Sequence, residues 1–220
     1  MGASWESAVY LRLLSSTILG LVVAIVFLGV PAGASSIGPS CGTCQGSSYT
    51  ITYSATPIAT TPTTDVWEIA YSIDTTGYDG GGAFLDTVSL KVSSSIVMAD
   101  LVSAPGGVAN WVEILGGLNG SGCSGAGSGF DCATAIALSP TPVPAGTYTW
   151  LFQVEVARGG LFLGVDQSSV KARYVDSHRH KVGALVSEGI TLSAVPEPST
   201  AMLVLLGGGV LGARRSHALA

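Results

Sequence analysis

Charged residues are scarce in this chain of 220 residues, where Asp, Glu, Lys and Arg together make up only 10 %. Soluble domains carry roughly 25 %, and the shortage excludes a charge-rich disordered chain and a long coiled coil. Basic residues are the scarcer sign, nine against 14 acidic ones, so the sequence predicts no nucleic-acid partner. Between the two ends of the chain, no stretch shows the apolar stripe of an amphipathic helix.

Glycine is abundant, with 30 residues, and an uncharged apolar segment lies near each end of the chain. The first segment, Ile18–Val30, precedes an A-x-A pattern in which Ala32 and Ala34 are the alanines. An apolar core of this length before such a pattern is typical of a secretory signal peptide. We therefore predict export through the general machinery, with signal peptidase cleavage after Ala34. A retained membrane anchor is the alternative, because Leu13–Val30 could nearly span a bilayer.

The second apolar segment, Ala201–Ala213, is short for a membrane span. As a helix it would extend about 20 Å against a hydrocarbon core of roughly 30 Å. It therefore predicts a short transmembrane helix that holds the chain transiently. Arg214 and Arg215 follow it and should remain cytoplasmic, which leaves the body of the protein outside.

Two prolines flank an acidic residue just before this segment, in the strip Pro196-Glu197-Pro198. Proline denies the backbone an N–H donor and favours an extended conformation at the residue before it. An extended strip beside a membrane helix is a form that an enzyme can bind. We therefore expect this strip to be a recognition element.

The whole tail, Val195–Ala220, resembles the PEP-CTERM sorting signal of Gram-negative bacteria. The resemblance implies that an exosortase, a membrane cysteine peptidase, recognises Pro196, Glu197 and Pro198 and processes the tail. It also implies an exported protein, first a membrane-anchored precursor and then at the cell surface or extracellular, associated with exopolysaccharide or biofilm. Such tails are also labelled ice-binding protein C-terminal domains. Ser216–Ala220 extends further past the arginines than is usual.

The sequence thus divides into a signal peptide at 1–34, a body at 35–194 and a sorting signal at 195–220. The body is long enough for one domain and has six basic and twelve acidic residues. Apolar and polar residues alternate over Val66–Ile73 and Tyr148–Val156, as they do in half-buried antiparallel strands. Shorter strands are predicted at 49–53, 84–92, 96–102, 108–115, 133–138, 170–175 and 182–192, with a turn at 177–181 between the last two.

These short strands, separated by Gly, Ser, Pro and Asp clusters, predict an all-β fold, an antiparallel β-sandwich. A jelly-roll arrangement is the alternative. An N-terminal signal helix and a short C-terminal transmembrane helix would flank the sandwich.

The body contains four cysteines, and an even number in an exported, glycine-rich chain favours disulfides. Sequence spacing favours the local pairs Cys41–Cys44 and Cys123–Cys132 among the three pairings. A redox-active C-x-x-C at the first pair is an alternative without the βαβ pattern that would support it. A four-cysteine zinc site is a second alternative, which the wide spacing of the second pair disfavours. The sequence predicts no cofactor.

Two groups of side chains are candidates for metal binding, although exposed turns are the simpler interpretation of both. The first would take calcium and consists of Asp74, Asp79 and Asp86. The second would take another divalent ion and consists of Asp176, His178 and His180.

Catalytic motifs are absent, and only a carboxylate pair such as Glu113 with Asp131 could serve a glycosidase. Three tryptophans could stack on sugar rings or belong to the core: Trp67, Trp111 and Trp150. The threonines expected of an ice-binding surface form only a short cluster, Thr60, Thr61, Thr63 and Thr64. We therefore predict a non-enzymatic cell-surface or extracellular-matrix protein. The alternatives are a carbohydrate-binding module, a secreted hydrolase and an ice-binding protein.

Overall fold

The computed structural model describes residues 33–136, 141–143 and 146–193. The sorting tail, the C-terminal apolar segment and nearly all of the expected signal peptide lie outside these ranges, and so do the two expected helices. Strands make up most of the described residues, and no α-helix occurs among them. None of the described helical structure is long and apolar enough to cross a membrane.

Fourteen strands follow one another along the described part of the chain. They are β1 (Gly33–Ile37), β2 (Ser48–Tyr53), β3 (Ala59–Thr60), β4 (Thr64–Asp74), β5 (Phe84–Lys91), β6 (Ile96–Ser103), β7 (Trp111–Leu115), β8 (Leu118–Asn119), β9 (Gly122–Cys123), β10 (Phe130–Ala135), β11 (Thr141–Pro142), β12 (Thr147–Ala157), β13 (Ser168–Val175) and β14 (Val186–Ile190). A single 3-10 turn, Val108–Asn110, precedes β7.

The strands form two six-stranded antiparallel sheets that face each other across one core. Sheet A has the order β1-β2-β4-β12-β6, with β3 paired to β4, and sheet B has the order β14-β13-β5-β10-β7, with β11 paired to β5. Strands β8 and β9 form a separate two-stranded ribbon. The predicted all-β antiparallel fold is confirmed.

Sheet A is built around β4 and β12, which pair over 11 consecutive positions. Alternation puts Trp67, Tyr71 and Ile73 of β4 into the core, opposite Trp150 and its neighbours on β12. Burying a large apolar side chain contributes roughly 1.5–3 kcal/mol, so these two strands supply a large part of the core.

Sheet B is built around β5, which is buried on both faces. Leu85, Val88 and Leu90 point into the core, while Asp86 and Ser89 lie on the outer face. Strands β8 and β9 pack over this outer face and hide the polar side chains from water. Polar residues inside a strand therefore do not mark an exposed face here.

Three predicted strands differ from the structure in their bounds. Residues 108–110 form a 3-10 turn, so only the second part of the strand expected at 108–115 is present, as β7. The strand expected at 133–138 begins three residues earlier, at Phe130. The strand expected at 182–192 shortens to β14.

The edge strands β1 and β14 meet at one corner of the sandwich. Ser35 Oγ accepts a hydrogen bond from the backbone N–H of Ser193 at 3.0 Å, and Tyr53 donates its hydroxyl to the Ser193 carbonyl. Gly33 lies against the Tyr53 ring, since a Cβ there would be 2.2 Å from a ring carbon. The two ends of the described body therefore leave the sandwich from the same corner.

Cleavage after Ala34 stays a prediction, and β1 shows what it would change. Gly33 and Ala34 pair with Tyr53 and Thr52 of β2, so this cleavage would remove the first two of the five residues of β1. Ser35, which binds Ser193, would become the first residue.

Candidate functional site

The residues expected to direct sorting lie outside the described part of the chain: Pro196, Glu197, Pro198, Arg214, Arg215 and, at the other end, Ala32. Their roles remain predictions. The candidate sites of the body can be located in the structure and are described in turn.

The calcium candidate is not assembled in the structure, because Asp86 belongs to another cluster. Its buried carboxylate accepts hydrogen bonds from Arg173 Nε at 2.9 Å and Nη2 at 2.6 Å. Asp74 instead accepts the backbone N–H of Thr76 at 2.9 Å, and hydrogen bonds from Thr76 lower the pKa of Asp74. Among the described residues, no group of three His, Cys, Asp or Glu side chains could hold a metal ion.

Asp176, His178 and His180 come together in a turn stabilised by the aspartate. Asp176 Oδ1 accepts the backbone N–H groups of His178 at 2.8 Å and His180 at 2.9 Å. The hydrogen bond from His180 is the largest of the effects that lower the pKa of Asp176. Because both imidazole rings are exposed and the carboxylate already has two donors, this group forms a turn, as the alternative interpretation holds.

A buried ion cluster on the outer face of sheet B was missed by sequence reasoning. Arg173 and Arg179 both approach Asp86 Oδ2, at 2.6 Å and 3.5 Å. Arg173 also donates to the Gly120 carbonyl at 3.3 Å, in the turn between β8 and β9. The backbone of Gly122, at φ 121°, leaves the space into which the Arg173 guanidinium packs. Burial of the Arg173–Asp86 ion pair therefore depends on the ribbon of β8 and β9.

Both predicted disulfides are confirmed. Cys41 pairs with Cys44 and Cys123 pairs with Cys132, and no cysteine of the described residues is free. The second bridge joins the end of β9 to β10, so it fixes the ribbon against sheet B and over the ion cluster.

Glu113 of β7 and Asp131 of β10 lie together on the inner side of sheet B. Asp131 pairs with Leu115 and Glu113 pairs with Ala133, which places the two acids diagonally on one face of adjacent strands. Glu113 Oε2 accepts the backbone N–H of Leu101, on the edge strand β6 of sheet A. The glutamate therefore connects the two sheets at this edge of the sandwich.

The two carboxyl groups lie close enough for each to shift the pKa of the other. Asp131 is fully buried, and its Oδ2 has no hydrogen-bond partner among the described residues. Burial, together with the nearby Glu113 charge, raises the pKa of Asp131 to about 8. Burial also raises the pKa of Glu113, against the lowering effect of the Leu101 N–H. Asp131 therefore binds a proton more tightly than an ordinary aspartate does.

The burial of this pair does not suit glycoside hydrolysis. The two carboxyl groups of a glycosidase must both reach the bond that is cleaved in a bound sugar chain. Asp131 is fully buried and cannot reach a sugar in solvent. The arrangement instead joins β6, β7 and β10.

The three tryptophans of the body are core residues. Trp67 is 7 % exposed, Trp111 is 5 % exposed and Trp150 is fully buried. Trp111 packs edge-on against Trp150 with ring centroids 5.2 Å apart, and its Nε1 donates to the Pro105 carbonyl at 2.9 Å. Because no tryptophan presents its face to solvent among the described residues, the core interpretation is confirmed for these rings and the sugar-stacking alternative is wrong.

The threonine cluster forms a local turn. Thr61 Oγ1 accepts the backbone N–H of Thr64 at 2.9 Å, and the two hydroxyl groups hydrogen-bond to each other at 2.7 Å. These hydroxyls therefore bond to one another within the turn, and the cluster offers no extended array.

Comparison with known proteins finds a match in the tail of the chain. A family model described as the PEP-CTERM protein-sorting motif matches residues 194–216. No curated protein matches the chain, and no solved structure does.

Proposed function

This chain is a PEP-CTERM sorting domain-containing protein, and we propose that it is a non-enzymatic cell-surface or extracellular-matrix component associated with exopolysaccharide. The motif implies an exported, membrane-anchored precursor that an exosortase, a membrane peptidase, processes. In our proposal this peptidase recognises Pro196, Glu197 and Pro198. Ala201–Ala213 would hold the precursor in the membrane, with Arg214 and Arg215 on the cytoplasmic side.

The match of residues 194–216 to the sorting motif is the observation that carries this proposal. One feature of the body is compatible with a location outside the cytoplasm. All four of its cysteines are in disulfides, which persist in oxidising compartments. The non-enzymatic part of the proposal is compatible with the burial of Asp131 in the carboxylate pair that we considered.

Glu197→Ala tests the recognition step in cells. We expect the full-length precursor to accumulate in the membrane fraction, because the strip loses the only charge between its prolines. The intact mass of the protein from membrane and medium reports the processing. Glu155→Ala is the matched control, since Glu155 is half-buried on β12 of sheet A, and it should be processed normally. Normal processing of Glu197→Ala would contradict recognition through Glu197.

A further inference from the structure

Two lysines converge on one phenylalanine ring on the outer face of sheet B. Lys171 Nζ lies 4.5 Å from the centroid of the Phe130 ring, and Lys91 Nζ lies 5.5 Å from the same centroid. Lys91 Nζ also lies 5.9 Å from the centroid of Phe162. All four side chains are half-buried, so the group is partly open to solvent. We call these four residues the lysine–phenylalanine cluster.

The sheet register fixes this cluster in place. Lys91 pairs with Phe130 of β10 on one side and with Ser169 of β13 on the other. Leu90 and Val170, the strand neighbours of the lysines, point into the core, so the lysines point away from it. The cluster therefore stands on three hydrogen-bonded strands and not on a loop alone.

Neither ammonium group has a carboxylate partner. The ion pairs of the described residues are Arg173–Asp86, Arg179–Asp86 and His180–Asp176, and no carboxylate lies within 4.0 Å of Lys91 or Lys171. Two like charges drawn to one ring repel each other, while each cation–π contact contributes only about 0.5–1 kcal/mol at an exposed site. An anion between the lysines would relieve the repulsion.

The distribution of charge favours an anion on this side of the body. Of the six basic residues in the body, five belong to the outer face of sheet B or to the turn after β13: Lys91, Lys171, Arg173, Arg179 and Lys181. The Asp86 carboxylate in their midst is fully buried and bound to the two arginines. This side is therefore locally basic on a body that is acidic as a whole.

We propose that the lysine–phenylalanine cluster binds the carboxylate groups of an acidic polysaccharide, an inference that rests on the proposed export of the chain. The two ammonium groups would bind sugar carboxylates, and the phenylalanine rings would contact the apolar faces of the sugars. A nucleic acid suits the surface less well, because its binding draws on many phosphate contacts. Here only two lysines, Lys91 and Lys171, form the cationic row.

Titration of the detergent-solubilised full chain with sodium polygalacturonate tests the proposal. We expect binding that weakens as the salt concentration rises, and no binding to neutral dextran. The double variant Lys91→Gln/Lys171→Gln should bind polygalacturonate about tenfold more weakly, because it loses both charge contacts. Its urea unfolding midpoint, compared with that of the parent, shows that the fold is intact.

The charge-matched control is Arg158→Glu, which changes the net charge by the same two units at an exposed position after β12 and leaves Phe130 and both lysines in place. It should bind polygalacturonate within about twofold of the parent. Equal loss in the control and in the double variant would overturn the proposal, since net charge alone would explain the binding. Absence of polygalacturonate binding at low salt, or tighter binding of a DNA duplex, would also overturn it.

Processing of the tail separates this proposal from the proposed function. Lys91→Gln/Lys171→Gln should be exported and processed like the parent, because the cluster takes no part in recognition of Pro196-Glu197-Pro198. Loss of polysaccharide binding with normal processing supports the cluster alone. Failure of the Glu197→Ala test leaves the titration result unaffected.

Discussion

Arg173 on β13 holds the carboxylate of Asp86 on β5 with two hydrogen bonds, from Nε at 2.9 Å and from Nη2 at 2.6 Å. The residues are 87 positions apart in sequence, and both are buried under the ribbon of β8 and β9. This bidentate contact fixes β13 against β5, the central strand of sheet B.

Removing one partner should therefore be costly. We expect Asp86→Asn to lower the free energy of unfolding by about 3–5 kcal/mol, because it leaves a buried guanidinium without its counter-ion. Urea denaturation measures the change. Arg179→Gln is the control, since the Arg179 side chain is 30 % exposed, and it should cost only about 1 kcal/mol. Equal losses in the two variants would contradict the expectation that the buried Arg173–Asp86 pair contributes more to the free energy of unfolding than the partly exposed Arg179 does.

The carboxyl pair of Glu113 and Asp131 predicts a pH dependence of stability. Because burial and Glu113 raise the pKa of Asp131 to about 8 in the folded state, the folded protein holds a proton that the unfolded chain releases near pH 4. The stabilisation is complete below that lower value and is lost as the pH rises through about 8. On the order of 2–4 kcal/mol should disappear between about pH 4 and pH 9.

Asp131→Asn isolates this effect. Asparagine has the same shape, needs no proton and can donate to Glu113, so the unfolding midpoint should become nearly independent of pH over this range. Asp166→Asn is the control, because Asp166 is exposed and is not among the groups that shift the pKa of Glu113 or Asp131, so this variant should retain the parent profile. A parent protein whose stability rises between pH 5 and pH 9 would contradict the raised pKa of Asp131.

The two disulfides should contribute unequally to stability. Chain entropy gives about 2.5–3 kcal/mol for the ten-residue loop closed by Cys123–Cys132 and about 2 kcal/mol for the four-residue loop closed by Cys41–Cys44. The Cys123→Ser/Cys132→Ser variant should lose more than this, since the ribbon that covers Arg173 is also released. Urea denaturation of the two double-serine variants compares them. A larger loss in the Cys41→Ser/Cys44→Ser variant would contradict this ranking.

Trp111 should act in the core and not in ligand binding. Trp111→Ala should cost about 3–5 kcal/mol of stability, because it removes a large buried ring that packs against Trp150. Trp111→Phe should cost less, since it keeps an aromatic ring and loses the hydrogen bond to Pro105. Thermal unfolding distinguishes the two variants, and equal midpoints would contradict a packing role.

Strand periodicity predicted much of sheet A, because a strand with one face in the core and one in water must alternate. Trp67, Ile69, Tyr71 and Ile73 were assigned to one face from the sequence, and all four are buried. The same reasoning was less informative for β5, because the ribbon of β8 and β9 covers its outer face. The polar residues on that face are buried, so they do not mark a face exposed to water. Strand β1, of small residues, was not predicted at all.

Contacts between distant residues were beyond sequence reasoning. Asp86 was considered a calcium ligand because it follows two other aspartates, and nothing in the local sequence points to Arg173. Glu113 and Asp131 are a candidate pair in the sequence, and the register of β7 and β10 places them on adjacent strands, but only the structure shows the burial that raises the pKa of Asp131. The disulfides were predictable because both loops are short.

The hydrogen bond between Ser35 and Ser193 fixes where the two ends of the described body lie. Both ends of the described body, Gly33 and Ser193, lie at the same corner of the sandwich. Strand β13 runs from Ser168, opposite Ile190, to Val175, so the turn at 177–181 lies at the other end of the sandwich. An epitope inserted in this turn would therefore lie far from both ends of the described body.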